Sequence, residues 1–142
     1  MSNLKQVLSV ITTNLEALVP DERPEVPYRR INSHSPRKTA GALLHRGFWF
    51  EWGNSNIILD PSEKINDLTL SVGFLANQYT LTTMMDVVAD ERMAIETMIL
   101  NLPWGNGVKN VWVESTDVEE QESGNQIINF SLKAFTDETT SF

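Results

Sequence analysis

Two segments with the spacing of amphipathic helices limit the fold of this chain more than any other feature. Apolar residues recur every three or four positions over residues 4–19 and again over residues 83–102. Four other segments alternate apolar and polar side chains, as half-buried strands do: residues 42–52, 67–78, 108–118 and 127–136. Residues 57–59 are either a further short strand or part of a loop. The pattern predicts an α+β fold, in which a mostly antiparallel sheet of four or five strands is covered by two helices.

The length and composition indicate one domain with a hydrophobic core. The chain has 142 residues, 41% of them apolar, so we expect residues 1–142 to form a single unit. It contains no cysteine, which excludes disulfides, cysteine zinc sites, thiol nucleophiles and iron–sulfur clusters. No apolar run approaches the length of a membrane span, and the first residues lack the pattern of a secretory signal. We therefore expect a cytosolic protein or a component of a particle assembled in a cytosol.

Charge is distributed unevenly along the chain. The net charge is −8, yet residues 23–46 hold six basic residues against one acidic, and the rest of the chain after them holds four against fifteen. The basic residues fall mainly in a proline-rich, aperiodic connector at 20–41, which is predicted to be a long loop. The overall charge argues against a general nucleic-acid binder. A basic segment on an acidic body is typical of docking onto an acidic partner or another copy, although a solvated loop has the same composition.

The sequence contains no motif for catalysis. Its glycines form no phosphate-binding motif, and no serine lies in a Gly-x-Ser-x-Gly turn. The two histidines, His34 and His45, are eleven residues apart, and a structural role is expected for His45. The pair Asp90-Glu91 and the acidic residues from 117 to 122 are interpreted as solvated faces, because they lack the alternating ligands and glycine of a calcium loop. We predict no catalytic residue, no metal site and no cofactor.

One tryptophan stands in a loop. Trp104 lies in the sequence Pro-Trp-Gly-Asn-Gly, which ends the second helical pattern. An aromatic side chain there is a common interface anchor, but it can also fold back over the end of the helix. Both interpretations remain open from the sequence.

The order of elements resembles the tail terminators of tailed bacteriophages, also called tail completion or tail-to-head joining proteins. The resemblance is carried by an opening amphipathic helix, a long loop, a strand such as the one that starts at Asp67-Leu-Thr-Leu-Ser-Val-Gly-Phe, a long helix at 83–102 and a terminal hairpin at 110–135. It covers nearly the whole chain but rests on a pattern of elements, since the family offers no invariant catalytic or binding motif to match.

The resemblance implies a structural virion protein, assembled in the host cytoplasm, that forms a hexameric ring. Such a ring caps the tail tube protein and joins it to the head connector, and DNA passes through it without specific binding. Docking is then assigned to the basic segment and the loop tryptophan: Arg29, Arg30, Arg37, Lys38, Arg46 and Trp104. A channel lining that repels DNA is assigned to four acidic residues: Asp117, Glu119, Glu120 and Glu122.

Two alternatives remain. Head completion and baseplate adaptor proteins of virions are similarly small α+β proteins, and the sequence does not separate them from tail terminators. From a different class, the chain is a small stand-alone binding domain, or a hydrolase that uses His34 or His45.

Overall fold

The computed structural model of this protein describes residues 3–31, 45–57, 62–121 and 123–137. Within these residues the chain forms two helices, five strands and a single 3-10 turn at Ala76–Gln78. In chain order the helices and strands are α1 (Asn3–Ala17), β1 (Arg29–Arg30), β2 (Gly47–Ile57), β3 (Glu63–Phe74), α2 (Leu81–Leu100), β4 (Val108–Glu120) and β5 (Gln126–Asp137).

The five strands form one sheet in the order β1-β2-β3-β5-β4. β1 pairs in parallel with β2, and the other three pairs are antiparallel. The predicted α+β class is confirmed, although the sheet is mixed. The segment at 57–59 supplies no separate strand within the described residues, because Ile57 is the last residue of β2 and residues 58–61 lie outside them. The fifth strand is β1 instead, in the segment predicted to be a connector without regular structure.

Helix α1 follows the predicted apolar spacing. Val7, Ile11 and Leu15 recur every four residues and are fully buried. The helix ends three residues before Pro20, whose ring disfavours helical geometry in the residue before it. Among the described residues, neither helix is long and apolar enough to cross a membrane.

Helix α2 begins earlier than predicted. Its N-cap is Thr80, whose hydroxyl accepts a hydrogen bond from the N–H of Thr83 at 3.3 Å, so the helix begins at Leu81 and not at residue 83, where the apolar pattern starts. Ile95 and Ile99 are fully buried, as the apolar pattern predicts. Asparagine 101 caps the other end, and its side-chain amide donates to the carbonyl of Thr97 at 2.8 Å.

The core lies between the helices and one face of the sheet, called the inner face below. Strands β3 and β5 form the centre of the sheet, and their apolar side chains alternate with polar ones as predicted. Three buried cross-strand pairs build this layer: Val72 with Ile128, Leu70 with Phe130, and Leu68 with Leu132. Each of these side chains contributes about 1.5–3 kcal/mol of hydrophobic stabilisation when it is fully buried.

The outer face of the sheet is mostly polar. It carries a small buried cluster of Trp49 and Ile127, with Ile31 and Leu75 packed against it. Ile65, Trp112 and Phe135, which are half-buried, lie on the same face. Trp52 lies on the inner face, opposite to Trp49, because side chains alternate along β2. The polar outer face and the two edges of the sheet are therefore the surfaces that this fold presents.

Candidate assembly surfaces

A buried arginine ties three parts of the chain together. The side chain of Arg46 is 0% exposed, and its Nε and Nη2 atoms donate to the two carboxylate oxygens of Glu91 in α2 at 2.7 and 2.9 Å. Its Nη1 atom donates to the carbonyls of Arg23 and Val26 at 2.8 and 2.9 Å, and Nη2 also donates to the carbonyl of Glu22. The guanidinium thus holds the proline-rich connector against α2 and the start of β2.

The carboxylate of Glu91 has a second donor, the hydroxyl of Tyr28. Burial, together with the neighbouring charge of Glu91, raises the pKa of Tyr28 far above its usual range, so this hydroxyl keeps its proton and donates it. Arg46 adopts a left-handed backbone conformation with φ of 60°, which a non-glycine residue adopts at a cost of about 1–3 kcal/mol. The ion pair and its hydrogen bonds offset that cost.

Two sequence interpretations are corrected by this network. Arg46 was assigned to an exposed docking segment, but its charge is buried and satisfied within the chain. Glu91 was interpreted as part of a solvated face, but it is 5% exposed and is the partner of that charge. The sequence offers no signal for the pairing, because the two residues are 45 positions apart.

His45 has a structural environment. Its Nδ1 atom accepts a hydrogen bond from the N–H of Leu75 at 3.2 Å, so the proton of the neutral ring is on Nε2, which contacts the hydroxyl of Tyr79 at 2.8 Å. Burial and the nearby charge of Arg46 lower the pKa of His45 to about 4. Both ring nitrogens are engaged, as expected for a structural histidine. His34 lies outside the described residues.

The basic docking residues are only partly within the described chain. Arg29 and Arg30 form strand β1, and both are exposed. The guanidinium of Arg30 lies over the ring of Phe50, 5.0 Å from its centroid, and its backbone N–H donates to Glu16. Arg37 and Lys38 lie outside the described residues. The side chains of Arg29 and Arg30 therefore lie at the β1 edge of the sheet, beside α1.

Trp104 folds back onto the chain. It is partly buried and packs against the main hydrophobic core. This contact with the chain's own core favours the second of the two sequence interpretations, in which the ring folds back. The assignment of Trp104 to an interface with another protein stays a prediction.

Carboxylates gather on the outer face of the sheet. This set, the acidic sheet face, comprises Glu51, Asp67, Glu114, Asp117 and Glu119. The amide of Asn129 bridges two of them, because it donates to Asp117 and Glu119 at 3.4 Å each. Lys133 pairs with Asp67 and lies 3.4 Å from Glu114. A shallow groove of about 300 Å³ runs through this region.

The four residues predicted to line a channel do not share one face. Asp117 and Glu119 belong to the acidic sheet face, but Glu120 lies on the inner side because successive strand residues alternate. Glu122 lies outside the described residues. Proximity in sequence grouped these residues, and the pleat of β4 separates them.

The sequence interpretation missed an apolar stripe on the solvent side of α2. Met85, Met93 and Leu100, the α2 stripe, are 63%, 70% and 75% exposed. At about 100° per residue they fall within a sector of about 80° around the helix, and Asp86 and Asp90 lie beyond one edge of that sector. The sequence contained a signal for this stripe, because these three apolar residues fall outside the spacing of the buried apolar residues of α2.

The α2 stripe lies beside the edge strand β4. Arg92, on the flank of the stripe, and Glu96, within its sector, reach across to this strand. Arg92 donates to the carbonyl of Thr116 at 3.4 Å, and the hydroxyl of Thr116 lies 3.3 Å from the carboxylate of Glu96. The stripe is therefore at the β4 end of the sheet.

A groove of about 400 Å³ lies at the opposite end, between α1 and β1. Its lining, the α1–β1 groove, consists of Lys5, Leu8, Ser9, Thr12, Thr13 and Arg30. Two of these residues are basic, one is apolar and three carry hydroxyls. The groove thus has a positive rim and an apolar side, which is the converse of the α2 stripe with its acidic border.

A further cavity, of about 200 Å³, lies where the connector crosses α2, and Tyr28 and Glu91 contribute to its wall. This volume is below the roughly 300–1,000 Å³ of typical ligand pockets. Across the described ranges, the acidic side chains and the histidine form no group of three or more that could hold a metal ion.

Comparisons with solved structures give a similarity to a virion particle. No family model matches the chain, and no curated protein matches it. Among solved structures, the chain is similar to a chain of the "Virion of native gene transfer agent (GTA) particle", with 16% sequence identity and a TM-score of 0.43. The similarity covers 96% of this chain and 92% of that chain.

Proposed function

We propose that this chain is a structural protein of a phage-like virion and that its copies form a ring, hexameric as in the tail terminators that the sequence resembles. In this role the ring caps the tail tube protein and offers its other side to the head connector. The role is structural and requires no catalytic residue or cofactor. The observation that carries the proposal is the separation of charge between the outer face of the sheet and its β1 edge.

The acidic sheet face suits the wall of a DNA channel. It holds five carboxylates, and Lys133 contacts two of them, Asp67 and Glu114. In a ring of six copies the net charge is about −48, so a channel lined by this face repels phosphates and lets DNA slide without adhering. DNA is then a passing cargo, which no base-specific contact holds.

The β1 edge suits contacts between proteins. Arg29 and Arg30 are exposed on a two-residue edge strand, which pairs with β2 and receives a hydrogen bond from α1 through Glu16. An acidic surface on the next copy, the tail tube protein or the head connector complements these charges. Opposite charges at such contacts mainly raise the association rate and select the partner.

The experiment is a cryo-electron microscopy map of particles that carry this chain with a C-terminal tag. We expect six copies in a ring at the junction of the tail tube and the head connector, with the acidic sheet face toward the channel. A ring at the distal end of the tail would assign the chain to the baseplate. Absence from purified particles, or an acidic sheet face directed outward, would contradict the proposal.

A further inference from the structure

We propose that copies of this chain associate head to tail, with the α2 stripe of one copy seated in the α1–β1 groove of the next. This inference rests on the proposed ring for its biological meaning, and it names the two surfaces that form the subunit contact. It concerns residues other than those of the acidic sheet face, so the two ideas can fail separately.

The α2 stripe has the exposure of a surface that is covered in an assembly. Three large apolar side chains, Met85, Met93 and Leu100, are each more than 60% exposed along one helix. They lie along one side of the helix over four turns, with the carboxylate of Glu96 among them, whereas single exposed apolar residues are common on any protein. Methionine side chains adapt to irregular grooves, which suits them to a contact of this kind.

The α1–β1 groove of a second copy is the occupant that the charges favour. Asp86 and Asp90 lie on one flank of the stripe, and Lys5 and Arg30 border the groove. Arg92, on the other flank, is paired with Glu96 at 3.6 Å. Docking the stripe in the groove therefore places two carboxylates near two cations while Leu8 meets the apolar side chains. Two stripes packed against each other would instead bring four carboxylates together, which is unfavourable.

The two surfaces lie at opposite ends of the sheet. The stripe is tied to β4 through the contacts of Arg92 and Glu96, and the groove includes Arg30 of β1. A copy that uses its stripe on one neighbour thus keeps its groove for another. Such a heterologous contact repeats from copy to copy and produces a closed ring or an open filament.

The contact is expected to be weak in the free protein. Three apolar side chains cover less than the roughly 800 Å² per partner that stable interfaces bury. Association of the isolated chain is then transient, and a tube or connector surface would be needed to hold the ring together. Covalent capture detects such a contact where an equilibrium measurement does not.

The absence of cysteine from the wild-type chain permits a direct test. The full-length double variant Met93→Cys/Ser9→Cys places one thiol on the stripe and one in the groove, both at exposed positions. Under oxidation we expect a ladder of disulfide-linked multimers on non-reducing gels. The matched control is Val19→Cys/Ser9→Cys, in which the first thiol replaces an apolar residue of similar exposure outside the stripe.

A second pair of variants tests the apolar contact itself. In the double-cysteine background, Leu100→Glu should slow formation of the ladder at least tenfold, whereas Val19→Glu should leave the rate unchanged. Both substitutions add one carboxylate at a position more than 70% exposed, so neither disturbs the core. Circular dichroism of both variants checks that the fold is retained.

Three results would overturn the inference. One is a ladder no faster than that of the Val19 control. Another is efficient dimer formation by Met93→Cys alone, which would show that two stripes pack together. The third is cross-linking of Met93→Cys only to another virion protein.

Rings that form without the expected cross-link would refute this contact and leave the proposed function standing. A ladder formed by a chain that is absent from particles would do the reverse.

Discussion

The ion pair of Arg46 and Glu91 allows a quantitative prediction about stability. Arg46→Met keeps a long side chain in place but removes the guanidinium, so Glu91 stays buried and, among the described residues, keeps the hydroxyl of Tyr28 as its hydrogen-bond partner. Removal of one member of a buried ion pair costs about 3–5 kcal/mol of unfolding free energy. We expect the upper half of this range, because the same guanidinium also donates to three backbone carbonyls of the connector.

This loss is large for a chain of this size. A domain unfolds with a free energy of about 5–15 kcal/mol, so the variant loses about a third of its stability or more. At about 2–4 °C per kcal/mol, Tm falls by roughly 8–20 °C. Urea unfolding followed by circular dichroism measures the free energy, and a thermal scan measures Tm. The control is Arg29→Met, an exposed position at which we expect a change of less than about 0.5 kcal/mol.

The double variant Arg46→Met/Glu91→Met separates the pair from its members. It removes both buried charges, so we expect it to be more stable than either single variant, with a coupling of about 2–3 kcal/mol. The reasoning is refuted if Arg46→Met lies within about 1 kcal/mol of wild type. Additive losses in the double variant would equally refute it, since they would show that the two side chains do not depend on each other.

Three further outcomes are expected. The folded pKa of His45, about 4, is below its unfolded value of 6.5, so the unfolded state binds a proton first and stability falls as pH drops through this window. In urea titrations at several pH values, His45→Gln should reduce the dependence of unfolding free energy on pH. The reduction should be less than about 1.4 kcal/mol per pH unit, because the ring is only half-buried and solvent screens it. Ile95→Asp, which buries an unpaired charge in the core, should abolish cooperative unfolding in circular dichroism. Arg29→Glu/Arg30→Glu should keep the wild-type circular dichroism spectrum yet reduce the yield of complete particles at least tenfold. The control Lys109→Glu, which reverses an exposed charge on β4, should leave the yield unchanged. A normal yield from the double variant would contradict the docking role.

The layers of the fold could be predicted from the sequence because each is set by local periodicity. The four-residue spacing of Val7, Ile11 and Leu15 dictates a helix with one buried stripe, and the alternation in β3 dictates a strand with one buried face. The tight connection of β4 and β5 also has a local signal. Gly124 adopts a φ of 87° there, a conformation that glycine allows at little cost.

Features that depend on tertiary pairing could not be predicted. Strand β1 has two residues and exists because β2 offers a parallel edge, so its own sequence carries no strand pattern. Arg46 sits in a basic run that is typical of surface, and its buried partner is distant in the chain. The acidic residues at 117–120 show the opposite case. They were expected to share one face because they are neighbours in sequence, but the alternation of side chains along β4 places them on both faces. The α2 stripe had a visible pattern, but helical spacing alone does not say that it faces solvent.

The strand order has a consequence for how the chain folds. β2 with β3 and β4 with β5 are hairpins whose partners follow each other closely in sequence, so each can form locally and early. The ladder between β3 and β5 joins residues 63–74 to residues 126–137. Its two strands are separated in the sequence by α2 and β4, so it requires a long-range contact. We therefore expect closure of this central ladder to limit the folding rate, with substitutions at its cross-strand pairs slowing folding more than those at the sheet edges.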